Sequence, residues 1–319
     1  MKATILKTFV LILLILPSTT FSQVNDKAFI NFEEDALIYP ASYQLNAMDS
    51  KSLADFYMNN LGMTLLEEVD GYYRLGTSDE RTLLEIFPTD IPRGEGISTG
   101  LYHTAYLFND RQYMGSLLTH MMETESPIEG FTYHGVSDAI YAADIEGNGI
   151  ELYWDYPIEE WSVNEDSGDV EMQNDPLDYI KLMQSATEEG IVFDQLDERT
   201  IIGHFHLVSD DYEAAGKFYE DVLGLKIRSF VEDDSLFQDS NAYHHHLANN
   251  NWFVDQDMNQ PEEGQQGLRN TIWHSHSPEF FDEIILSLDN LGLDYELVTE
   301  TELSFKDTNG LGVIVKLVE

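Results

Sequence analysis

The chain has 319 residues, 43% of them apolar, enough for two ordinary domains with real cores. Sixteen Lys and Arg stand against 59 Asp and Glu, a formal charge of −43; such a surface repels nucleic acid and anionic lipid, so neither is expected as a partner. There is no cysteine, which excludes disulfides and thiolate metal sites.

Lys2 and Lys7 flank the start of an apolar run over residues 9–16, and Thr19-Thr20-Phe21-Ser22 then offers small residues before Gln23. This is the pattern of a secretory signal peptide, residues 1–22, with cleavage expected after Ser22 and export to the periplasm or beyond. Its loss removes two lysines and no acids, so the mature chain stands at −45 (−43 − 2). The run is too short to span a bilayer, and no later segment is long enough to do so. Residues 23–40 are polar and mixed and read as an N-terminal arm.

Four units follow, each a strand, a helix and further strands. Unit one, 41–88, has a helix at Leu53–Leu61 and strands at Gly71–Leu75 and Thr82–Phe87. Unit two, 100–155, has a strand at Leu101–Phe108, a helix near Arg111–Thr124, and strands at Asp138–Ala143 and Gly149–Tyr153 joined by the turn Asp144–Asn148. Residues 156–199 are acid-rich, with one short helix at Pro176–Ser185, and read as a linker that packs. Unit three, 201–254, opens on Gly203-His204-Phe205-His206-Leu207 and passes into an amphipathic helix after Asp211 that closes on Leu223-Gly224. Its further strands are expected at Lys226–Val231, Ser235–Gln238 and His244–Ala248. Unit four, 267–319, ends in strands at Leu303–Asp307 and Val313–Val318. Asp49, Phe56-Tyr57 and Leu61-Gly62 repeat Asp211, Phe218-Tyr219 and Leu223-Gly224 at one offset (211 − 49 = 162), whereas units two and four have the same outline with weaker helices. The class is α+β. No unit alone covers both sides of its small sheet, so units must pair.

Counting back seven residues from each helix's first turn gives Ser42, His103, His204 and Asn270. The equivalent edge of the last strand gives Glu151 in unit two but Ile314 in unit four. Two imidazoles and one carboxylate on adjoining strands suit a divalent first-row metal with coordination positions left open, the facial arrangement of non-heme Fe(II) enzymes that bind dioxygen. Taken singly, His103 and His204 equally suit histidines bonded within a sheet, and Glu151 a solvent-facing acid. Coincidence of register across two units is what argues for a site. His206 shares the face of His204 and competes with it. Tyr243-His244-His245-His246, expected on a strand, puts two rings on one face and one on the other; it reads either as a surface cluster or as the source of an acid/base over the metal. His134 and Tyr141 could hydrogen-bond a phenolic substrate, or be a loop histidine and a core tyrosine. The segment Asp144–Glu151 has too few acids for a calcium loop. His120, His274 and His276 fall in no consistent register and read as surface residues.

The segments Gly100-Leu101-Tyr102-His103, Ser137–Tyr141, Asp144–Glu151, Thr200–Leu207 and Tyr243–His246 together resemble catechol 2,3-dioxygenases of the vicinal oxygen chelate (glyoxalase/bleomycin resistance/extradiol dioxygenase) superfamily. The resemblance covers nearly all of 41–319, including Asp169–Met172 and Pro176–Asp178 in the linker. It implies four βαβββ modules paired into two half-barrel domains, in chain order 41–155 (modules one and two) and 200–319 (modules three and four). It further implies that His103, His204 and Glu151 hold Fe(II), or Mn(II) in some members. His245 matches the acid/base, and His134 and Tyr141 match groups that contact the catechol oxygens. A small aromatic diol would react with O2 to a hydroxymuconic semialdehyde. Another metalloenzyme of the superfamily (a lyase, isomerase or hydrolase) and a non-catalytic binder of aromatic ligands are the competing readings. Export departs from the family, whose members are usually cytoplasmic. The ligand distribution implies that units two and three share one barrel and units one and four the other. Whether a barrel closes within one chain or in a homo-oligomer stays open.

Overall fold

Side-chain capping sets where each unit's helix begins, and with it the register of the strand before it. The computed structural model describes residues 36–166, 168–231, 235–241, 243–252 and 258–318; the expected signal peptide and most of the N-terminal arm lie outside them. Unit one runs β1 (Tyr39–Ala47), α1 (Ser50–Asn60), β2 (Thr64–Val69), β3 (Tyr72–Gly76), β4 (Thr82–Pro88). Unit two runs β5 (Gly100–Leu107), α2 (Arg111–Glu123), β6 (Ile128–Tyr133), β7 (Ser137–Ala143), β8 (Gly149–Asp155). The linker contributes β9 (Asp175–Pro176) and α3 (Tyr179–Glu188). Unit three runs β10 (Ile201–Val208), α4 (Tyr212–Leu223), β11 (Lys226–Val231), β12 (Ser235–Asp239), β13 (Leu247–Asn250). Unit four runs β14 (Gly267–Ser275), α5 (Pro278–Leu291), β15 (Tyr295–Thr299), β16 (Glu302–Lys306), β17 (Gly312–Leu317). Every unit is therefore βαβββ.

Asp49, Asp110 and Asp211 accept from the backbone N–H three residues on, at 3.0, 2.9 and 2.9 Å, and Ser277 does the same from Phe280 at 3.1 Å. α4 and α5 both end on glycines in the left-handed region, Gly224 at φ 66° and Gly292 at φ 67°. The expectation of a weaker helix in unit four is corrected: α5 is 14 residues long, because Ser277 caps it and Pro278 presets its first turn. The linker helix begins at Tyr179 rather than Pro176, since Pro176 belongs to a short strand on β6 and Asp178 is the cap. A Cβ on Gly115 would come within 2.6 Å of the Leu182 carbonyl, so only glycine lets α2 and α3 lie this close.

The repeated Phe-Tyr pair has a structural purpose. Tyr57 on α1 donates to Asp144 in the β7–β8 turn, and Tyr219 on α4 donates to Asp307 in the β16–β17 turn, each at 3.0 Å. Each buried aspartate also accepts two backbone N–H groups of its own turn. The helix of one unit thus staples the hairpin of the next.

Sheet pairing runs differently from this stapling. One sheet has the order β15-β16-β17-β14-β1-β4-β3-β2 and the other β11-β12-β13-β10-β5-β8-β7-β6-β9. Unit one joins unit four through antiparallel β1 and β14, and unit two joins unit three through antiparallel β5 and β10. The sheets therefore cut across the chain-order division into 41–155 and 200–319: each takes one unit from each half, and both form within a single chain. They pack against one another around Tyr43, Tyr106, Phe205 and Trp273, with Tyr43 and Tyr106 hydroxyls 2.7 Å apart.

Candidate metal centre

In the sheet of units two and three, β5 lies between β10 and β8. His103 pairs with His206, and Ala105 pairs with both His204 and Glu151. Alternate residues share a face, so His103, His204 and Glu151 converge on one side, their donor atoms within 4.8 Å of one another and all three side chains buried. His204 Nε2 lies 3.0 Å from Glu151 Oε2. His103 Nε2 lies 2.9 Å from the same oxygen but out of line for a hydrogen bond, so this buried nitrogen has no hydrogen-bond partner. Burial opposes the charge on Glu151, yet the adjoining imidazoles of His204 and His103 hold its carboxyl well below the usual range. Burial lowers His204 to about 4 against the pull of Glu151. At neutral pH the pair is an ionised carboxylate beside a neutral imidazole. Converging donors, one of them an orphaned buried nitrogen, fit a divalent cation.

The ambiguity with His206 is resolved by its neighbours. Its Nε2 lies 2.8 Å from Asn250 Nδ2, and its ring packs edge-on against Tyr102 and Trp252. Its Nε2 is thereby committed to Asn250, and the converging donors are those of His103, Glu151 and His204, although the His206 ring lies 4.8 Å from that of His103.

His134 and Tyr141 come together at the cavity. His134 Nδ1 is 2.9 Å from the Gln173 carbonyl, which can only accept, so this nitrogen carries hydrogen and Nε2 is left to accept from the Tyr141 hydroxyl at 2.8 Å. Burial, and then Glu151, push the Tyr141 hydroxyl well above its ordinary value, so it stays protonated. Tyr141 pairs with Glu151 across β7 and β8.

The expectation that Tyr243–His246 forms a strand is corrected. β13 begins only at Leu247, and His244 and His245 present their Nδ1 atoms to each other at 2.8 Å. Consecutive residues of a strand face opposite ways, so the segment must bend for these rings to meet. It is held by the His246 N–H on the Gln238 carbonyl at 2.8 Å and by the His246 carbonyl, which accepts from Phe205 at 3.1 Å. His245 lies with its ring centroid 4.1 Å from that of His204. Burial, followed by the surrounding imidazoles, keeps His245 well below the ordinary histidine value.

Behind these rings lies a network that sequence reasoning missed. His244 Nε2 is 3.1 Å from Asp155 Oδ1, Tyr243 donates to Asp155 Oδ2 at 2.6 Å, and the Tyr153 and Tyr243 hydroxyls are 2.7 Å apart. A Cβ at Gly203 would fall 1.7 Å from the Tyr153 hydroxyl; the glycine before His204 exists to admit that tyrosine. His120 and His276 bond elsewhere, to the Asn59 carbonyl and the Tyr39 hydroxyl.

The predicted site residues His103, Glu151, His204, His134, Tyr141 and His245 all line one cavity of about 210 Å³, together with Tyr102, Phe237 and Trp252. A larger cavity, about 680 Å³, sits on the other sheet. There Gln44 pairs with Asn270 and with Glu85 as Ala105 pairs with His204 and with Glu151. Ser42, Asn270 and Glu85 thus occupy the counterpart positions. Glu85 was invisible to residue counting, because only strand pairing identifies it.

A family described as "Glyoxalase/Bleomycin resistance protein/Dioxygenase superfamily" matches residues 40–152, and "Bleomycin resistance protein-like N-terminal" matches 202–235. The catechol-2,3-dioxygenase of Bacillus subtilis (strain 168) is 35% identical over 225 residues, 70% of this chain and 77% of that protein. A Bacillus subtilis subsp. subtilis structure named as a candidate dioxygenase aligns with TM-score 0.59 over 89% of this chain and 86% of its own, at 14% identity. Glyoxalase I from Zea mays aligns with TM-score 0.52 over 90% and 95%, at 15% identity.

Proposed function

Since the chain belongs to the glyoxalase/bleomycin resistance protein/dioxygenase superfamily, we propose that it is a metal-dependent extradiol dioxygenase. In this reading it cleaves a catechol-type ring beside the diol with O2 and yields a hydroxymuconic semialdehyde. The observation that carries the reading is the buried His103–Glu151–His204 cluster opening on a small cavity with an imidazole on one side and a phenol–imidazole pair on the other.

His103, Glu151 and His204 would hold Fe(II), or Mn(II), which would supply Lewis-acid and redox chemistry for the diol and O2. Each other group has work of its own. His245, neutral in its buried setting, takes a proton from the diol and returns it as the ring opens. Tyr141 has its own proton committed to His134, so its oxygen accepts from a diol hydroxyl and orients the ring. Tyr102, Phe237 and Trp252 offer flat apolar surface to the ring and keep water away from it. No Lys or Arg lines this cavity among the described residues, which favours an uncharged aromatic diol over one bearing a carboxylate. Lys2, Lys7 and the apolar run before Ser22 support export, so the reaction would occur outside the cytoplasm.

The test is oxygen uptake when catechol is added to protein loaded anaerobically with Fe(II), followed together with the yellow semialdehyde. Uptake with a yellow product is the expected result. Bound iron without either signal across several uncharged catechols overturns the assignment of ring cleavage.

A further inference from the structure

The bent histidine segment carries an inference that rests on the acid/base role given to His245. We infer that Asp155 and His244 are positioning residues that fix the tautomer of His245, so that its Nε2 presents a lone pair to the cavity rather than an N–H.

The argument begins at the carboxylate. An aspartate carboxylate only accepts hydrogen bonds. Its Oδ2 is taken by the Tyr243 hydroxyl at 2.6 Å and its Oδ1 faces His244 Nε2 at 3.1 Å, so His244 carries hydrogen on Nε2. In its neutral form, with one N–H placed on Nε2 by Asp155, His244 has Nδ1 as an acceptor. The Nδ1–Nδ1 contact of 2.8 Å between His244 and His245 needs a single hydrogen, and His245 must provide it. That leaves His245 Nε2 as a lone pair. The opposite arrangement sets the His244 Nε2 lone pair against Asp155 Oδ1, with both rings almost wholly buried, 3% and 4% exposed. The chain is anchored one step further back, where the Tyr153 hydroxyl meets that of Tyr243 in the space left open by Gly203.

The consequence is specific. A base needs a lone pair before it meets its substrate, and a free histidine in water takes whichever tautomer suits it. Here a carboxylate two groups away makes that choice. It also explains why two consecutive histidines are brought to the same side of the chain.

The proposal is tested first without turnover, by 15N NMR of the full-length metal-free protein labelled at histidine. His245 is expected with hydrogen on Nδ1 and an unprotonated Nε2. A wild-type spectrum showing hydrogen on Nε2 overturns the inference, and needs no variant to do so. His244→Phe keeps a ring but removes both nitrogens and should shift His245 toward the Nε2–H tautomer. His244→Gln supplies one acceptor and one donor in the same order and should preserve the wild-type tautomer. With iron loaded, His244→Phe should lower kcat about 100-fold, the size of a lost general-base contribution, with metal content and KM for catechol little changed, and His244→Gln should recover most of it. Unchanged kcat in His244→Phe at full metal content overturns the role. If the wild type shows no oxygen uptake at all, the ring-cleavage reading fails while the NMR result still decides the tautomer.

Discussion

The two sheets are built to one plan, and among the described residues only one of them gathers metal-binding donors. Each joins two βαβββ units through an antiparallel pair of first strands, with the last strand of a unit parallel beside the first. At matching positions one sheet has His103, His204 and Glu151, and the other Ser42, Asn270 and Glu85. The shared carboxylate has opposite fates. Glu151 is left among imidazoles, whereas Glu85 accepts from Gln44 at 2.9 Å and from Tyr72 at 2.6 Å, and Asn270 bonds Gln44 in turn. Even the residue facing the carboxylate differs: Tyr141 opposite Glu151, Arg74 opposite Glu85. The larger cavity on the second sheet is bordered by Arg74, Arg199 and Lys316, which bond Glu67, Asp197 and Glu302. Topology provides the cradle twice; two imidazoles at fixed register make one cradle a site.

The largest effect that separates the sheets is all-or-none. His204→Ala should lose retained Fe(II) and oxygen uptake together, while Asn270→Ala at the counterpart position should change neither. Metal analysis after gel filtration decides the matter, and a full equivalent of iron in His204→Ala would locate the donors elsewhere. The comparison can also be run in reverse. Ser42→His and Asn270→His, with Gln44→Ala to copy Ala105, should raise metal capacity from one equivalent toward two in a Zn(II) titration. If capacity stays at one, matching register is insufficient and the burial around Glu151 is what the second sheet lacks.

A smaller effect concerns acid. In the metal-free protein His204 is lowered to about 4 and His246 to about 3, burial being the first cause of both. The unfolded chain, with ordinary histidines near 6.5, then binds more protons between those values, so stability is full above roughly pH 6.5 and falls as the pH drops toward 4, by on the order of 3 kcal/mol from His204 alone. Urea unfolding of metal-free protein at pH 7.5 and pH 5 measures this. A flat profile would mean that these rings are not buried neutral.

How much of this was legible in the sequence depends on the range of the contact. His103 and His204 could be read because Asp110 and Asp211 cap helices at a fixed distance from them, and capping is local. Glu85 could not, because its match to Glu151 depends on which strands pair. The His244–Asp155 contact joins residues 89 apart in different units, and no local pattern announces it. The strand expected at His244–Ala248 failed beside it: alternation is the default for such a segment, and the bond between the His244 and His245 rings goes with a bend instead. β2, β6 and β15 went unseen for a simpler reason. They lie largely exposed, β6 only partly so, and lack the alternation of buried and solvent-facing residues on which strand reading relies.

The smallest effect tests the staples, which are common to both halves of the chain. Burial raises Asp307 to about 6, opposed by hydrogen bonds from Leu311, Tyr219 and Asn309. Tyr219→Phe takes away a side-chain hydrogen bond to the buried Asp307 carboxylate, at a cost of about 1–3 kcal/mol. Because the folded value lies above the unfolded one, Asp307 takes up its proton on acidification first in the folded state, and stability from this group grows as pH falls from 6 toward 4. A neutral carboxyl tolerates the lost donor better than a carboxylate does. The penalty of Tyr219→Phe should therefore be larger at pH 8 than at pH 5, whereas the wild type itself loses stability over the same interval through its histidines. Urea unfolding of both proteins at the two pH values separates the opposing trends. Tyr57→Phe should cost less, because Asp144 Oδ2 still accepts from Asn148 Nδ2 at 2.7 Å, and neither substitution should alter oxygen uptake, since neither tyrosine borders the cavity over the metal centre. Equal penalties at both pH values would mean that Asp307 keeps one charge state from pH 8 to pH 5.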